Sequence, residues 1–408
     1  MAISESENTV LSSATGSGIA SATGLRARIG LLVILSCISF NILLVLALQP
    51  ALSTIGDYFG GGTHGALIAQ LLETMSGIGI MVGGPIAGWI AERRIGRRNL
   101  LLAALALYGL SGSACMFVDS APVLLTLRLL QGLGSAGIAV STYSLVSERF
   151  QGAARSRVIG YQGAFVSGMG IVSLPVAGVV ASNYGWHAAF ALYLSALVVL
   201  VIAIFTVPNS PAAPQQAVKE AGGSLAAMWP LYALIVPIYL LANMVNLHIS
   251  FVLAGDGIHR PSLQSYIMLA SSILYMVGGI FYGRIFVRLG ARRMLAAILA
   301  LMAASGLAVG LSHGIVMTAI GVGLSGFSGG FLVPLITNLV LNKAPPEARS
   351  RALGFMYTAM YIGNFLNPLI MTPARQAIGN HQVFLTVGVL LAVAAAAQAL
   401  VKRPIVAD

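Results

Sequence analysis

Two charges lie where the 408-residue sequence otherwise offers hydrocarbon. Arg128 sits in LLTLRLLQGLGSA, Leu124 to Ala136, about seven residues inside an apolar run that begins near Ala121; at ~1.5 Å per helical residue this is roughly 10 Å below a membrane surface. Glu73 is the one acidic residue comparably deep in another such run. Charges in hydrocarbon are costly and usually face an interior or a watery cavity, so the two together are a candidate site. The chemistry they suggest is proton movement coupled to solute movement. A conformational change that alters the distance between a carboxyl group and an arginine changes the proton affinity of the carboxyl group. Two plainer roles stay open. Arg128 could lock helices together through backbone carbonyls, and Glu73 could form a fixed pair with Arg128 that closes one end of the protein.

The residues around these charges form stripes at helical spacing. Arg128, Gln131 and Ser135 fall within about 60° of one another on a helical wheel, and Gly132 and Gly134 beside them allow a neighbouring helix to approach closely. Gln70, Glu73 and Gly77 form a second stripe. Further along, Asn243, Asn246 and Ser250 share a face, as do Tyr357, Tyr361 and Asn364, and Phe327 lies on the same face as Phe331. His248 points away from the asparagine stripe and reads as an interior histidine. The candidate solute contacts are Asn41, Gln131, Asn243, Asn246, Phe331, Tyr361 and Asn364, each of which could equally bridge helices. Aromatic rings and amides with few charges suit an amphiphilic or modestly polar organic solute.

The elements that must hold these residues follow from composition. Hydrophobic residues make up 58% of the chain and charged residues 8%, against ~25% in a soluble protein, so an all-α polytopic membrane protein is expected. Apolar runs predict twelve transmembrane helices: Ile29–Gln49, Ala66–Gly88, Asn99–Asp119, Ala121–Tyr143, Val158–Ala181, His187–Val207, Trp229–Leu253, Leu263–Ile285, Met294–Leu311, Ile315–Leu341, Ala352–Thr372 and Gln382–Val401. Residues 1–24 read as a disordered tail, 25–207 as one six-helix bundle, 208–227 as a linker and 228–408 as a second six-helix bundle. All but three of the 22 Lys and Arg residues then fall on one side of the membrane. Arg260 and Arg375 lie on the other side, and Arg128 lies within. Short cytoplasmic loops collect basic residues, so both termini are expected in the cytoplasm. The net charge of +11 thus follows topology and suggests no nucleic-acid partner. Cys37 and Cys115 both fall in apolar runs and read as packing residues. There is no Gly-rich phosphate loop ending in Lys-Ser or Lys-Thr, and the six histidines are scattered. No cofactor, metal or enzymatic activity is therefore expected, and a monomer is the default.

The two halves echo each other, with GWIAERRIGRR at Gly88–Arg98 and GRIFVRLGARR at Gly283–Arg293. The first resembles the loop signature Gly-x-x-x-Asp-Arg-x-Gly-Arg-Arg of the major facilitator superfamily. Gly88, Arg93, Gly96, Arg97 and Arg98 match it, Glu92 stands for the aspartate, and one extra residue precedes Gly96. The second copy has Val287 at the acidic position. The pattern Leu-x-x-x-Arg-x-x-Gln-Gly-x-Gly-x-Ala of the family's drug:proton antiporter branch is met in full by Leu124, Arg128, Gln131, Gly132, Gly134 and Ala136. A third motif is partial: Gly170, Pro175 and Gly178 match, while Leu174 and Val179 replace glycines, and Pro175 is expected to kink its helix. The resemblance implies two pseudo-symmetric six-helix bundles around a central cavity. It also implies a cytoplasmic gate at Gly88, Glu92, Arg93, Gly96, Arg97 and Arg98, and a proton-coupling role for Arg128. Proton-coupled efflux across a bacterial inner membrane is the activity it implies. A proton-coupled importer or facilitator, a non-transporting sensor and a lipid-modifying enzyme are the alternatives. Relatives in that branch often carry an acid in the first span; here that run offers only Asn41 and Gln49, which leaves Glu73 as the main candidate for the proton carrier.

Overall fold

The computed structural model describes residues 24–92, 96–149, 152–207, 228–312, 314–344 and 349–400, and the regular elements among them are all helical. In a bilayer every backbone N–H and C=O must find its partner within the protein, and an apolar chain of this length does so by coiling. Span 1 comes in four pieces, Gly24–Cys37, Phe40–Leu46, the 3-10 turn Gln49–Ala51 and Leu52–Tyr58. Spans 2 to 5 are Gly62–Glu92, Arg97–Ala114, Ala121–Arg149 and Gly152–Tyr184. Span 6 enters as a 3-10 helix, Trp186–Tyr193, and continues as Leu194–Thr206. Span 7 is Trp229–Ala242 with Met244–Gly255. Spans 8 and 9 run together over Pro261–Gly310, divided at Gly290, whose φ of 70° and ψ of 169° only glycine adopts cheaply. Spans 10 to 12 are Ile315–Lys343, Arg349–Ile378 and Asn380–Leu400.

Nine helices among the described residues are long and apolar enough to cross a membrane, the joined pair counting once. Dividing that pair and adding spans 5 and 11 gives the expected twelve. One boundary is corrected. Span 1 was expected to end at Gln49, but it continues through Pro50 to Tyr58. Pro50 occupies the first turn of a short 3-10 helix, where its missing N–H leaves no bond unmade, so it bends the span without ending it. Pro175 likewise lies inside a helix that continues past it. Residues 1–23 of the expected tail and the whole linker, 208–227, lie outside the described residues.

Spans 1 to 6 pack around a core that includes Leu44, Tyr108, Phe190 and Tyr193, and spans 7 to 12 around one that includes Ile298, Leu335 and Met356. Glycines set the tightest crossings. A Cβ on Gly79 of span 2 would overlap the carbonyl oxygen of Leu129, and one on Gly132 of span 4 would overlap that of Ser76. Gly134, two residues along, lies against the Tyr108 backbone of span 3, so the paired glycines seat span 4 between two neighbours. The halves repeat a capping device. Arg98, at the start of span 3, donates to the carbonyls of Val207 (2.7 Å) and Ile204 (2.6 Å) at the end of span 6. Arg292, at the start of span 9, donates to those of Gln398 (3.4 Å) and Ala399 (2.9 Å) at the end of span 12. Each guanidinium fills carbonyls that a helix end leaves open and complements the negative end of the helix dipole.

The bundles meet along a seam where span 2 packs on span 11 and span 5 on span 8. A third core cluster straddles it, joining Leu46 and Leu174 to Met244, Val252 and Phe384. Leu174, at a motif position where the resemblance has glycine, is thus an inter-bundle packing residue. Hydrogen bonds across the seam among the described residues gather at the end away from the basic loops, as from Ser53 to Ser250, from Gln70 to span 7 and from Ser262 to Ser182. Towards the basic loops Tyr143 of span 4 and Tyr357 of span 11 are 47% and 50% exposed.

Candidate functional site

Arg128 is completely buried, and all five of its N–H donors are used inside the first bundle. Nε donates to the Leu72 carbonyl of span 2 at 2.7 Å. One terminal nitrogen donates to Gln131 Oε1 (2.6 Å) and the Tyr193 hydroxyl (3.1 Å), and the other to the Leu44 carbonyl of span 1 (2.8 Å) and Ser76 Oγ (3.4 Å). The Tyr193 hydroxyl also donates to Leu44 O at 3.0 Å, and its ring lies 5.6 Å from the guanidinium carbon. The charge is therefore tied to spans 1, 2, 4 and 6 together. A planar five-donor fork can do this where a lysine could not. The helix-locking role left open for Arg128 is the one this geometry displays; a guanidinium facing an open cavity is not seen.

Glu73 lies next to this knot, buried on span 2, but forms no ion pair with Arg128 among the described residues. The expected fixed pair is replaced by an indirect link. Ser76 Oγ donates to the Glu73 backbone carbonyl at 2.7 Å and accepts from Arg128. The carboxyl group has unlike oxygens: Oε1 accepts from Gln49 Nε2 at 3.2 Å, while Oε2 is buried without a partner among the described residues. Gln49, expected at a span end, is an inward-turned partner of the one deep acid. The extension of span 1 past Pro50 puts it there.

The expected solute contacts divide. Asn243, Asn246, Tyr361 and Asn364 are partly exposed, and Tyr361 lies against Gly77 of the other bundle, at the seam. Asn243 spends one amide hydrogen on the Tyr239 carbonyl at 3.0 Å. Asn41 is partly exposed and accepts from Ser135 Oγ at 2.5 Å, which ties span 1 to span 4. Gln131 and Phe331 are corrected: neither faces the seam. Gln131 is fully buried beside Arg128, and Phe331 packs edge-on to Phe327, ring centres 4.6 Å apart, in the core of the second bundle. Sequence reasoning missed Tyr143, Tyr239 and Tyr275. Each interacts electrostatically with Tyr357, as does Tyr361, so these tyrosines of spans 4, 7, 8 and 11 influence one another. An excess of tyrosine on the seam-facing spans was the signal available. His248 is the interior histidine expected, bonded to Gln70 and Asn367.

Of the expected gate residues, Gly88 has open space around it among the described residues, and Gly96 is extended (φ −52°, ψ 144°) where it caps span 3. Arg97 is buried. Arg98 also serves span 6 of its own bundle, through the carbonyls of Val207 and Ile204. Arg93 and the Glu92 side chain lie outside the described residues. Gly170 meets Leu46 at ordinary contact distance, and a Cβ on Gly178 would overlap the Ser265 side chain, so Gly178 lets span 5 approach span 8 closely. Groups of three or more metal-binding side chains do not occur among the described residues.

Comparison with known proteins agrees with this architecture. The chain is 26% identical over 337 residues to the 3-(3-hydroxy-phenyl)propionate transporter of Escherichia coli (strain K12), covering 77% of this chain and 78% of that protein. It is 24% identical over 345 residues to the methylenomycin A resistance protein of Streptomyces coelicolor, covering 69% and 72%. A 34% identical match to the niacin transporter of Acinetobacter baylyi spans 134 residues, 33% of this chain and 30% of that protein. Among solved structures, the nucleoside transporter NupG superposes with a TM-score of 0.69 at 18% identity, covering 90% of this chain and 99% of that one. The D-xylose-proton symporter superposes with a TM-score of 0.66 at 16% identity, covering 91% and 96%. These structures share the fold. The sequence pattern of the Major Facilitator Superfamily matches residues 29–254 and 222–406, and the chain, twelve spans in two facing bundles, belongs to that family of transporters.

Proposed function

We propose that the protein is a proton-coupled secondary active transporter that moves a small amphiphilic organic solute out of the cytoplasm by alternating access. The basic loops face the cytoplasm on this reading, because short loops on that side retain Lys and Arg, and both termini lie there. The seam is hydrogen-bonded at the end away from these loops, while Tyr143 and Tyr357 are exposed towards them, which supports an inward-facing state. The observation that carries the reading is Glu73. It is a deep acid with one carboxyl oxygen held by Gln49 and the other bare, beside an arginine whose own position is fixed. A proton could bind and leave there without unmaking the Arg128 knot. The full span-four motif and relatives named for antibiotic resistance support efflux. Relatives named as transporters of niacin and of 3-(3-hydroxy-phenyl)propionate support a second reading, proton-coupled movement of an aromatic acid. The seam favours an uncharged or anionic aromatic solute in either case. It offers tyrosine hydroxyls and amides, and Glu73 is the one acid deep within the described spans.

The test uses proteoliposomes with an imposed pH gradient. The parent protein is expected to accumulate solute against its gradient when protons flow the other way. Glu73→Gln should keep solute-for-solute exchange and lose gradient-driven accumulation. Unchanged accumulation in Glu73→Gln would remove Glu73 from the mechanism. Accumulation in the direction of proton flow would replace efflux by import.

A further inference from the structure

At the closed end of the seam a single side chain joins span 2 to both span 7 and span 11. The Gln70 amide is fully used. Nε2 donates to the Leu247 carbonyl at 2.9 Å and faces His248 Nδ1 at 3.0 Å, and Oε1 accepts from the Thr372 hydroxyl. On the far side of the ring, His248 Nε2 is 2.9 Å from Asn367 Oδ1, while Asn367 Nδ2 donates to the Leu240 carbonyl at 2.7 Å. Gln70, His248, Asn367 and Thr372 are all completely buried.

Following the donors fixes the ring. Asn367 spends an N–H on Leu240, so it presents oxygen to His248, and Nε2 must carry the hydrogen. Gln70 spends its two N–H groups on Leu247 and the ring, so Nδ1 must be the bare acceptor. The arrangement admits only a neutral imidazole with its hydrogen on Nε2. We infer that this amide–imidazole clasp holds the face opposite the basic loops shut, and that a proton on His248 Nδ1 opens it. With Nδ1 protonated, two donors confront each other across the seam. Turning the Gln70 amide over does not relieve this, because its oxygen would then face the Leu247 carbonyl oxygen as well as the ring. In both cases one bond between the bundles becomes a repulsion, and buried polar groups tolerate such mismatches poorly.

The charged neighbours are few. On span 11, Arg375 interacts with His248; its guanidinium carbon lies 4.6 Å from the Phe251 ring of span 7, and it donates to Asn380 of span 12 at 3.2 Å. On span 2, Glu73 follows Gln70 by one turn towards the basic end. A second group of bonds, among Ser53, Ser250 and Gln264, closes the same end and contains no titratable side chain. Among the described groups that bridge the bundles here, His248 alone changes its donors with a proton.

This inference rests on the alternating-access reading, and its test does not require transport. A reporter, Tyr361→Cys, is placed at the seam in a protein whose Cys37 and Cys115 are replaced by alanine. A membrane-impermeant maleimide is applied from the face opposite the basic loops, with rates normalised to an exposed loop cysteine at each pH. Labelling is expected to rise about tenfold from neutral to mildly acidic pH. Gln70→Leu should label rapidly at both pH values, and Thr372→Val, which removes a single bond, should lie between. His248→Asn should lose the pH response. Glu73→Gln should keep it, even though gradient-driven transport is gone, which separates a failed clasp from a failed transport mechanism. Slow labelling in both Gln70→Leu and Thr372→Val, or a pH response that survives His248→Asn, would overturn the inference.

Discussion

Replacing Arg128 by lysine keeps the charge and removes the fork, so it separates the anchoring role of the guanidinium from any role of its charge. Arg128 meets five acceptors from four spans. Lysine has three donors radiating from one nitrogen, so at least two acceptors lose their partner. Leu44 O keeps the Tyr193 hydroxyl, but Leu72 O is left without this side-chain bond and Gln131, whose Nε2 is already bare, is stranded further. At about 1.5 kcal/mol or more for each hydrogen bond to a charged group, the loss is at least about 3 kcal/mol. For a bundle of this size that lowers the unfolding midpoint by roughly 6–12 °C. The assay is built into the chain: Cys37 and Cys115 are both fully buried, so a thiol-reactive dye reports when the first bundle opens. Arg128→Gln, which also leaves the vacated site without its charge, should fall at least as far. The reasoning is refuted if Arg128→Lys unfolds at the parent midpoint. If it did so while losing gradient-driven transport, the guanidinium would belong to the coupling chemistry instead.

Two further predictions concern the scaffold. Gly79→Ala and Gly132→Ala should each lower the same midpoint clearly, because the added methyl meets backbone carbonyls that cannot step aside, whereas Gly84→Ala, with open space around it, should be neutral or gain up to about 1 kcal/mol from helix propensity. Arg98→Ala and Arg292→Ala should destabilise by similar amounts, about 1 kcal/mol each once solvent screening is allowed for, as judged by thermal melts of the purified protein. A large effect at one site and none at the other would mean that the two caps are not equivalent.

Twelve spans were legible because lipid imposes a simple rule, some twenty apolar residues per crossing, and a sequence cannot satisfy it inconspicuously. The glycines beside Arg128 were legible for a similar reason, since small residues next to a costly charge imply close neighbours. What spacing along one helix cannot reveal is a partner on another. Gln70 lies 178 residues from His248 and 302 from Thr372, and nothing in either stretch announces the other. His248 was set aside because it points off its asparagine stripe, yet that direction is what brings it to span 2. Gln49 was placed at the end of span 1 because the apolar run stops there, whereas in the folded chain it opens a 3-10 turn that carries the span on through Pro50.

The duplicated halves divide the work in a way that bears on where a mutation will matter. Structural devices occur in both. An arginine at the start of the third helix of each half caps the sixth, and a histidine at the start of the sixth bonds an aspartate, His187 to Asp119 at 3.0 Å and His381 to Asp256 at 2.8 Å. The groups suited to chemistry occur once. The two deep charges, Glu73 and Arg128, belong to the first bundle, with no acid deep in the described spans of the second, and four of the five tyrosines that influence one another belong to the second. Paired substitutions at repeated positions should therefore change stability together, while substitutions at Glu73, His248 or Tyr357 have no counterpart that could compensate. A rocking motion of two similar bodies needs the first property, because each bundle must hold its shape as it tilts. Coupling needs the second, because a proton site must lie in one body and be sensed across the seam by the other.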